Sequence, residues 1–318
     1  MSVSKQKLNT IEISFRRAVF ENKFSKLVVT VSGGADSIAL LSALSATEAV
    51  LIAAHCNFHL RGDESMRDQK HVEKVCKELN VALMVKDFDV AAHMAANRGM
   101  SAEMACRELR YEWFAAIASE TGADRIVTGH NADDNIETLF LNLLRGSGTS
   151  GLRGMLPDTG KIWRPLLSFH RHEIEKYLED KKIPFITDSS NLTNDYRRNF
   201  IRNEIVPLLK SRWAGFEKAL DRSVALLRSE NEVVTAMVNA SLPDPGKPLE
   251  ASAIMNFPDP ELLVRRFIEP IGPFTTTAGE VISAIKAAKP DRRIWRLRKG
   301  DLILKNGWLS LHTFIHKQ

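Results

Sequence analysis

The chain is poor in cysteine: it has three, Cys56, Cys76 and Cys106, and no Cys-x-x-Cys pair. Neither a disulfide framework nor a thiolate metal site can be built from them, and each reads as a small, partly buried apolar residue. A long uncharged apolar run is also missing, which excludes a membrane-spanning helix. Met1 to Thr10 is polar, without the apolar segment and small-residue cleavage site of a secretion signal, so a cytoplasmic location is expected. No internal repeat is visible, and no Gly-Lys-Ser/Thr closes a Walker A loop.

What is present describes an ordinary soluble protein. The 318 residues, 44% hydrophobic and 26% charged, suffice for one large domain and a smaller one. The net charge of +5 is compatible with an RNA partner without requiring one. Arg197, Arg198 and Arg202 form one basic cluster, and Arg292, Arg293, Arg296, Arg298 and Lys299 another. Each reads equally as a solvated face or as a phosphate contact.

Apolar periodicity alternates between strand and helix through the first two thirds of the chain. Lys26 to Val31, Val50 to Phe58, Val81 to Val85, Arg125 to Gly129 and Lys161 to Leu167 read as strands, with helical stretches between them. Such alternation predicts an α/β fold, a doubly wound and mainly parallel five-stranded sheet covered on both faces. Ligands then bind beyond the carboxyl ends of the strands, where the strand order switches. The loops after the first and fourth strands are expected to meet there.

Ser168 is expected to cap a helix from His170 to Lys182, with His170 and His172 read as surface residues that face apart. From about Phe200 the pattern is helical through Val238. A proline-rich linker, Leu242 to Pro248, precedes two more helices, Asp259 to Ile268 and Thr277 to Ala288. A final pair of strands, Arg293 to Leu297 and Asp301 to Leu304, follows. The expected domains are residues 1–210 and a smaller, mostly helical region, 211–318.

Three groups of residues carry chemistry. Ser32-Gly33-Gly34-Ala35-Asp36-Ser37 lies between a strand and a helix, where two glycines and a helix N-terminus let backbone N–H groups cradle an anion. Bare phosphate would repel Asp36, so its natural role there is to hold Mg²⁺. Asp133, Asp134 and Glu137 follow Gly129-His130. Asp134 and Glu137 share one helical face and suit a metal or an ammonium group, while Asp133 is equally good helix-capping chemistry. Arg107 and Arg110 share another face, suited to an anion or to surface ion pairing. The polar stretch Asp188-Ser-Ser-Asn191, with Asp195 to Arg202, is either a solvated loop or a contact for phosphates and unstacked bases.

In series these motifs resemble those of the tRNA(Ile)-lysidine synthetases, within the N-type ATP pyrophosphatase or PP-loop class. The likeness runs through Ser32 to Ser37, His55-Cys-Asn-Phe-His-Leu-Arg-Gly62, Arg107-Glu-Leu-Arg-Tyr111 and Gly129-His-Asn-Ala-Asp-Asp-Asn-Ile-Glu-Thr138. It continues through Arg145-Gly-Ser-Gly148, Gly151-Leu-Arg-Gly-Met155, Arg164-Pro-Leu-Leu167 and Asp188 to Arg202, covering about Lys26 to Pro207. Asn135 stands where the family often has glutamine. Many members carry a further C-terminal domain, so this chain resembles the short forms or a truncated long one.

The resemblance implies an ATP pyrophosphatase (adenylation) domain and a C-terminal tRNA-binding region. It implies ligation of free L-lysine to C2 of the wobble cytidine of an isoleucine tRNA with a CAU anticodon, through an ATP-adenylated cytidine. Ser32, Gly33, Gly34, Ala35, Asp36, Ser37, His55, Asn57, Gly129 and His130 are then expected to bind ATP, with Mg²⁺ on Asp36. Asp134 and Glu137 would bind the lysine ammonium, and Arg107 and Arg110 a phosphate or the lysine carboxylate. Arg197, Arg198 and Arg202 would bind tRNA. Homodimers are common among such enzymes. The competing readings are a tRNA-thiolating enzyme, an amine ligase such as a GMP or NAD synthetase, and a silent nucleotide- or RNA-binding protein.

Overall fold

Lys26–Thr30, a β-branched run with Leu27, Val28 and Val29 wholly buried, forms the central strand β1. The computed structural model describes residues 9–97, 99–186, 197–272, 275–287, 292–297 and 299–313. Asp188 to Asn191, Asp195, Tyr196 and Arg298 lie outside the described residues. Ahead of β1 comes α1 (Thr10–Asn22), its N-terminus closed by a capping box between Asn9 and Glu12. After it follow α2 (Ala35–Ser45), β2 (Val50–Asn57), α3 (Asp63–Glu78), β3 (Ala82–Asp87), α4 (Val90–Ala96), α5 (Ala102–Thr121) and β4 (Arg125–Val127). Then come α6 (Ala132–Leu144), α7 (Thr149–Leu152), β5 (Ile162–Trp163) and α8 (Arg171–Lys181).

The five strands pair in the order β3-β2-β1-β4-β5, every pair parallel. The order switches beside β1, between β1 and β4, so the loops that leave those two strands open side by side. Expectation and structure agree here. The strand expected over Lys161 to Leu167 is only Ile162–Trp163, because Pro165 has no N–H for the ladder and starts a 3₁₀ turn, Pro165–Ser168. The cap of α8 is His170, not Ser168; Glu173 accepts the His170 N–H at 2.8 Å.

Beyond residue 196, α9 (Arg197–Phe200) runs through a π turn, Ile201–Ile205, into α10 (Val206–Arg212). Pro207 explains the turn: its ring would clash with the carbonyl four residues back, and a wider turn relieves the clash. Ile201 and Val206 pack against Ile136 of α6, which seats this segment over the sheet's carboxyl edge.

The chain divides into two compact units, Met1–Leu227 and Arg228–Gln318, within the long helix α11 (Phe216–Ser241). The second unit holds β6 (Leu249–Glu250), α12 (Ala251–Asn256), α13 (Pro260–Ile268), α14 (Thr275–Lys286), β7 (Arg292–Leu297), β8 (Gly300–Lys305) and β9 (Trp308–Thr313). Its strands form an antiparallel sheet in the order β6-β9-β8-β7, two strands more than the terminal pair expected. Among the described residues no helix is long and apolar enough to cross a membrane.

One buried polar link in the first unit bears on the site. Tyr177 of α8, wholly buried, donates its hydroxyl proton to Glu12 Oε1 at 3.1 Å. Its oxygen then accepts from Ser42 of α2 at 2.9 Å, while Lys181 closes on Glu12 at 2.7 Å. This ties α8 to α2, the two helices whose first turns face the cleft. Tyr177→Phe keeps the ring and removes the link, so the urea midpoint should fall by the equivalent of about 1–2 kcal/mol.

Candidate active site

The loop after β1 is built around a hydroxyl. Ser37 Oγ accepts the N–H of Ser32 and of Gly33, both at 3.1 Å, and donates to the Gly34 carbonyl at 2.9 Å. Gly33 sits at φ 99°, which a side chain would strain. Gly34 then starts α2 with no side-chain cap. The inward N–H groups are thus aligned on one acceptor, for which an anion at the helix N-terminus would compete.

The loop after β4 comes against this turn. A Cβ on Gly129 would lie 3.3 Å from the backbone of Asp36 and Ser37, so glycine is what lets the two strand ends close up. Asn131 then caps α6, its Oδ1 accepting the Asp134 N–H at 2.9 Å while Asp134 accepts the Asn131 N–H at 3.1 Å. Its amide donates across to Asp36 Oδ1 at 3.0 Å. Arg171, from the first turn of α8, faces the other Asp36 oxygen at 3.4 Å. Burial pushes the Asp36 carboxyl above its usual range, with Arg171 opposing the rise.

These groups share a cleft of about 660 Å³ lined by Ser32, Asp36, His55, Arg110, His130 and Asp134, among others. His55 is buried, and its Nδ1 meets the Val31 carbonyl at 2.8 Å, which fixes the proton on Nδ1; burial lowers its pKa. Burial also drives His130 down to about 4, against the pull of Asp134, so the ring is neutral near pH 7. Asn57 lines the cleft but donates its amide N–H to Gln69 at 2.9 Å and accepts the His59 N–H on its oxygen at 3.0 Å, which leaves it a largely structural task.

The expected ammonium ligands are not bare. Glu137 is 2% exposed, and its oxygens take Arg202 at 2.5 and 3.0 Å and Arg198 at 2.6 Å. Asp134 Oδ1 takes both arginines at 3.2 Å. Arg198 and Arg202 therefore turn inward onto acids, while Arg197 is exposed. On α5, the Arg110 guanidinium lies over the Phe58 ring at 5.3 Å and that of Arg107 over Tyr111 at 4.9 Å; Arg110 reaches the cleft wall.

Several site residues escaped sequence reasoning. Asn131 and Arg171 are partners of Asp36, and Arg61, within the His55 to Gly62 motif, lines the cleft with Nη2 on Asp68 at 2.8 Å. The Asn131-x-x-Asp134 spacing was a readable capping box. Arg171 could be found only from the topology that sets α8 beside α2. Asp133 does serve a helix N-terminus, but that of the neighbouring α8, where it accepts the Arg171 N–H at 2.8 Å beyond the His170 cap.

His170 is a correction. It is no surface residue but lies 13% exposed between Asp133 (3.3 Å), Asp221 (3.1 Å) and Glu217 (3.6 Å). Because it precedes α8 in extended backbone, helical spacing does not apply, and its ring stacks on His172 at 5.8 Å. The hydrogen bond to Asp133 outweighs burial and lifts its pKa to about 9. Burial works against ionisation of Asp133 too, but hydrogen bonds from His170 and Arg171 prevail and hold it well below the usual range. A histidine raised from 6.5 to about 9 contributes stability that is complete below pH 6.5 and lost as pH climbs through about 9. Melting temperatures across that window should fall more for the wild-type chain than for His170→Gln.

The parallel sheet, the glycine turn at its switch point and the carboxylates that face it define a doubly wound α/β domain with its cleft at the switch in strand order. The sequence profile of the PP-loop domain matches residues 7–209, and the chain belongs to that family. It is 41% identical over 285 residues to the tRNA(Ile)-lysidine synthase of Porphyromonas gingivalis, covering 87% of this chain and 62% of that protein. With the synthase of Bacteroides thetaiotaomicron the identity is 39% over 251 residues, covering 78% and 58%. The chain thus spans 62% and 58% of the lengths of these two relatives. Among solved structures, the U34-tRNA thiolase NcsA of Methanococcus maripaludis shares the fold, with a TM-score of 0.57 at 18% identity over 69% of this chain and 78% of that one.

Proposed function

We propose that the chain ligates free L-lysine to the wobble cytidine of a CAU-anticodon isoleucine tRNA. In the first step the cytidine O2 attacks the α-phosphorus of ATP, the α–β bond breaks and pyrophosphate leaves. In the second the lysine ε-amine attacks C2, the C2–O2 bond breaks, and AMP departs with that oxygen while the amine gives up a proton. The observation that carries the reading is the meeting of the Ser32–Ser37 loop with Asp134 in one cleft, backed by identity to the two synthases.

The residues divide the work by chemistry. Backbone N–H groups of Ser32 to Ser37 receive the pyrophosphate, and His55, Gly129 and His130 line the nucleotide's share of the cleft. Asp36, 23% exposed beside the phosphate turn, is the single-carboxylate donor that Mg²⁺ takes together with phosphates. When bound, Mg²⁺ would neutralise charge on the departing pyrophosphate. Arg110 on the cleft wall, with Arg107 beside it on α5, suits a phosphate or the lysine carboxylate. Asp134 is the more accessible acid for the lysine ammonium, with Glu137 behind it, and an ammonium reaching either must exchange for a guanidinium of Arg198 or Arg202. Arg197, and in the second unit the exposed Arg292, Arg293 and Arg296, suit tRNA phosphates.

Thiolation is disfavoured by the cysteines. They are unpaired, and burial raises the Cys56 and Cys76 thiols to about 12 and 11, so neither is a ready thiolate. Radiolabelled lysine, ATP and an unmodified CAU-anticodon tRNA test the proposal: label should enter the tRNA with AMP release, and Asp36→Ala should abolish both. No lysine transfer alongside ATP–pyrophosphate exchange driven by another substrate would sink it. Unchanged ATP use by the variant would remove the role given to Asp36.

A further inference from the structure

The two acids assigned to the lysine ammonium have their hydrogen bonds already made. Asp134 Oδ1 accepts from Nη2 of both Arg198 and Arg202 at 3.2 Å, and its Oδ2 accepts the Asn131 N–H at 3.1 Å. Glu137 Oε1 accepts from Arg202 Nε at 2.5 Å, while Oε2 accepts from Arg198 Nε at 2.6 Å and Arg202 Nη2 at 3.0 Å. Two guanidinium charges balance two carboxylates, and Glu137 lies 2% exposed beneath them. An arriving ammonium brings a third positive charge and three N–H donors to acids that are already neutralised and covered. One guanidinium has to leave.

Exposure and anchoring single out Arg198. Arg202, 20% exposed, grips Glu137 through two nitrogens from the π turn, where Ile201 beside it packs on Ile136. Arg198 is 39% exposed, reaches Glu137 through one nitrogen, and stands on the four-residue α9 ahead of that anchor. Its Nη2 is divided between the Asp134 carboxylate at 3.2 Å and the Asp134 carbonyl at 3.3 Å. It lines the same cleft as Ser32, Gly34 and Ser37. Its charge is also felt at His130, whose pKa is lowered by burial first and by neighbouring arginines after it. We propose that Arg198 is a resident counter-ion that the lysine ammonium displaces, and that the freed guanidinium then binds the ATP phosphates. Its planar fork matches phosphate oxygens, and the polyphosphate absorbs the positive charge that the exchange leaves over. Lysine and nucleotide therefore bind with positive coupling, before any tRNA arrives. The inference rests on the lysine and nucleotide readings given above.

The test is calorimetry on the full chain with L-lysine and with the Mg²⁺ complex of an ATP analogue uncleavable at the α–β position. In the wild type, saturating lysine should tighten binding of the analogue by about five-fold or more, the low end of ordinary coupling between sites, and the analogue should tighten lysine by the same factor. Arg198→Ala should bind lysine alone at least as tightly as the wild type, because no guanidinium has to be displaced, and should lose the coupling. Wild type that binds both ligands independently overturns the proposal, and so does an Arg198→Ala protein that keeps the coupling or binds lysine more weakly. If that variant does not fold, crystals of the wild type soaked with both ligands decide: Arg198 should stand on the phosphates, and Arg198 still on Asp134 and Glu137 overturns the proposal. Wild type that binds the analogue but no lysine removes the lysine reading of the two acids, and the proposal with it.

Discussion

The hydrogen bond from Asn131 to Asp36 joins the two halves of the site. Asp36 belongs to the turn after β1 and Asn131 to the turn after β4, 95 residues later. They meet because the sheet places those strands side by side and because Gly129 leaves no side chain between them. Asn131 also caps α6, so the bond that orients Asp36 fixes the helix that carries Asp134 and Glu137. The glycine turn and the acidic face are therefore linked by one contact rather than set by two independent loops.

Electrostatics then decides what the cleft is prepared for. Asp36 is pushed toward neutrality by burial and restrained by Arg171, by the Asn131 amide and, from farther off, by Arg202. Glu137 and Asp134 are fully countered by Arg198 and Arg202. A cation arriving with a nucleotide finds one carboxylate with capacity to spare, whereas an ammonium must compete with guanidinium groups already in place. The two cationic partners of the proposed reaction thus meet different thresholds within the same cleft, and an exchange at Asp134 would free an arginine on the cleft wall.

Much of this was legible in the sequence. The β-branched run before Ser32, the two glycines and the alternating periodicity give the parallel sheet and the meeting of two strand ends. What was not legible has particular causes. Pro165 cut β5 short, and α4 is a seven-residue helix signalled only by its cap, Asp89. β9 is signalled only by Asn306-Gly307, the two-residue hairpin turn that joins it to β8. His170 misled because helical spacing was applied one residue before its helix begins. The inward turn of Arg198 and Arg202 follows from the seating of the π turn on α6, which no local pattern encodes.

The central claim is that the turn between β1 and α2 holds the leaving pyrophosphate with its metal at Asp36. A crystal structure of the chain soaked with Mg²⁺ and an ATP analogue uncleavable at the α–β position tests it most directly. The account predicts the β- and γ-phosphates on the backbone N–H groups of Ser32 to Ser37 and the cation on the Asp36 carboxylate. Phosphates bound elsewhere in the cleft, or a metal held without Asp36, would contradict it.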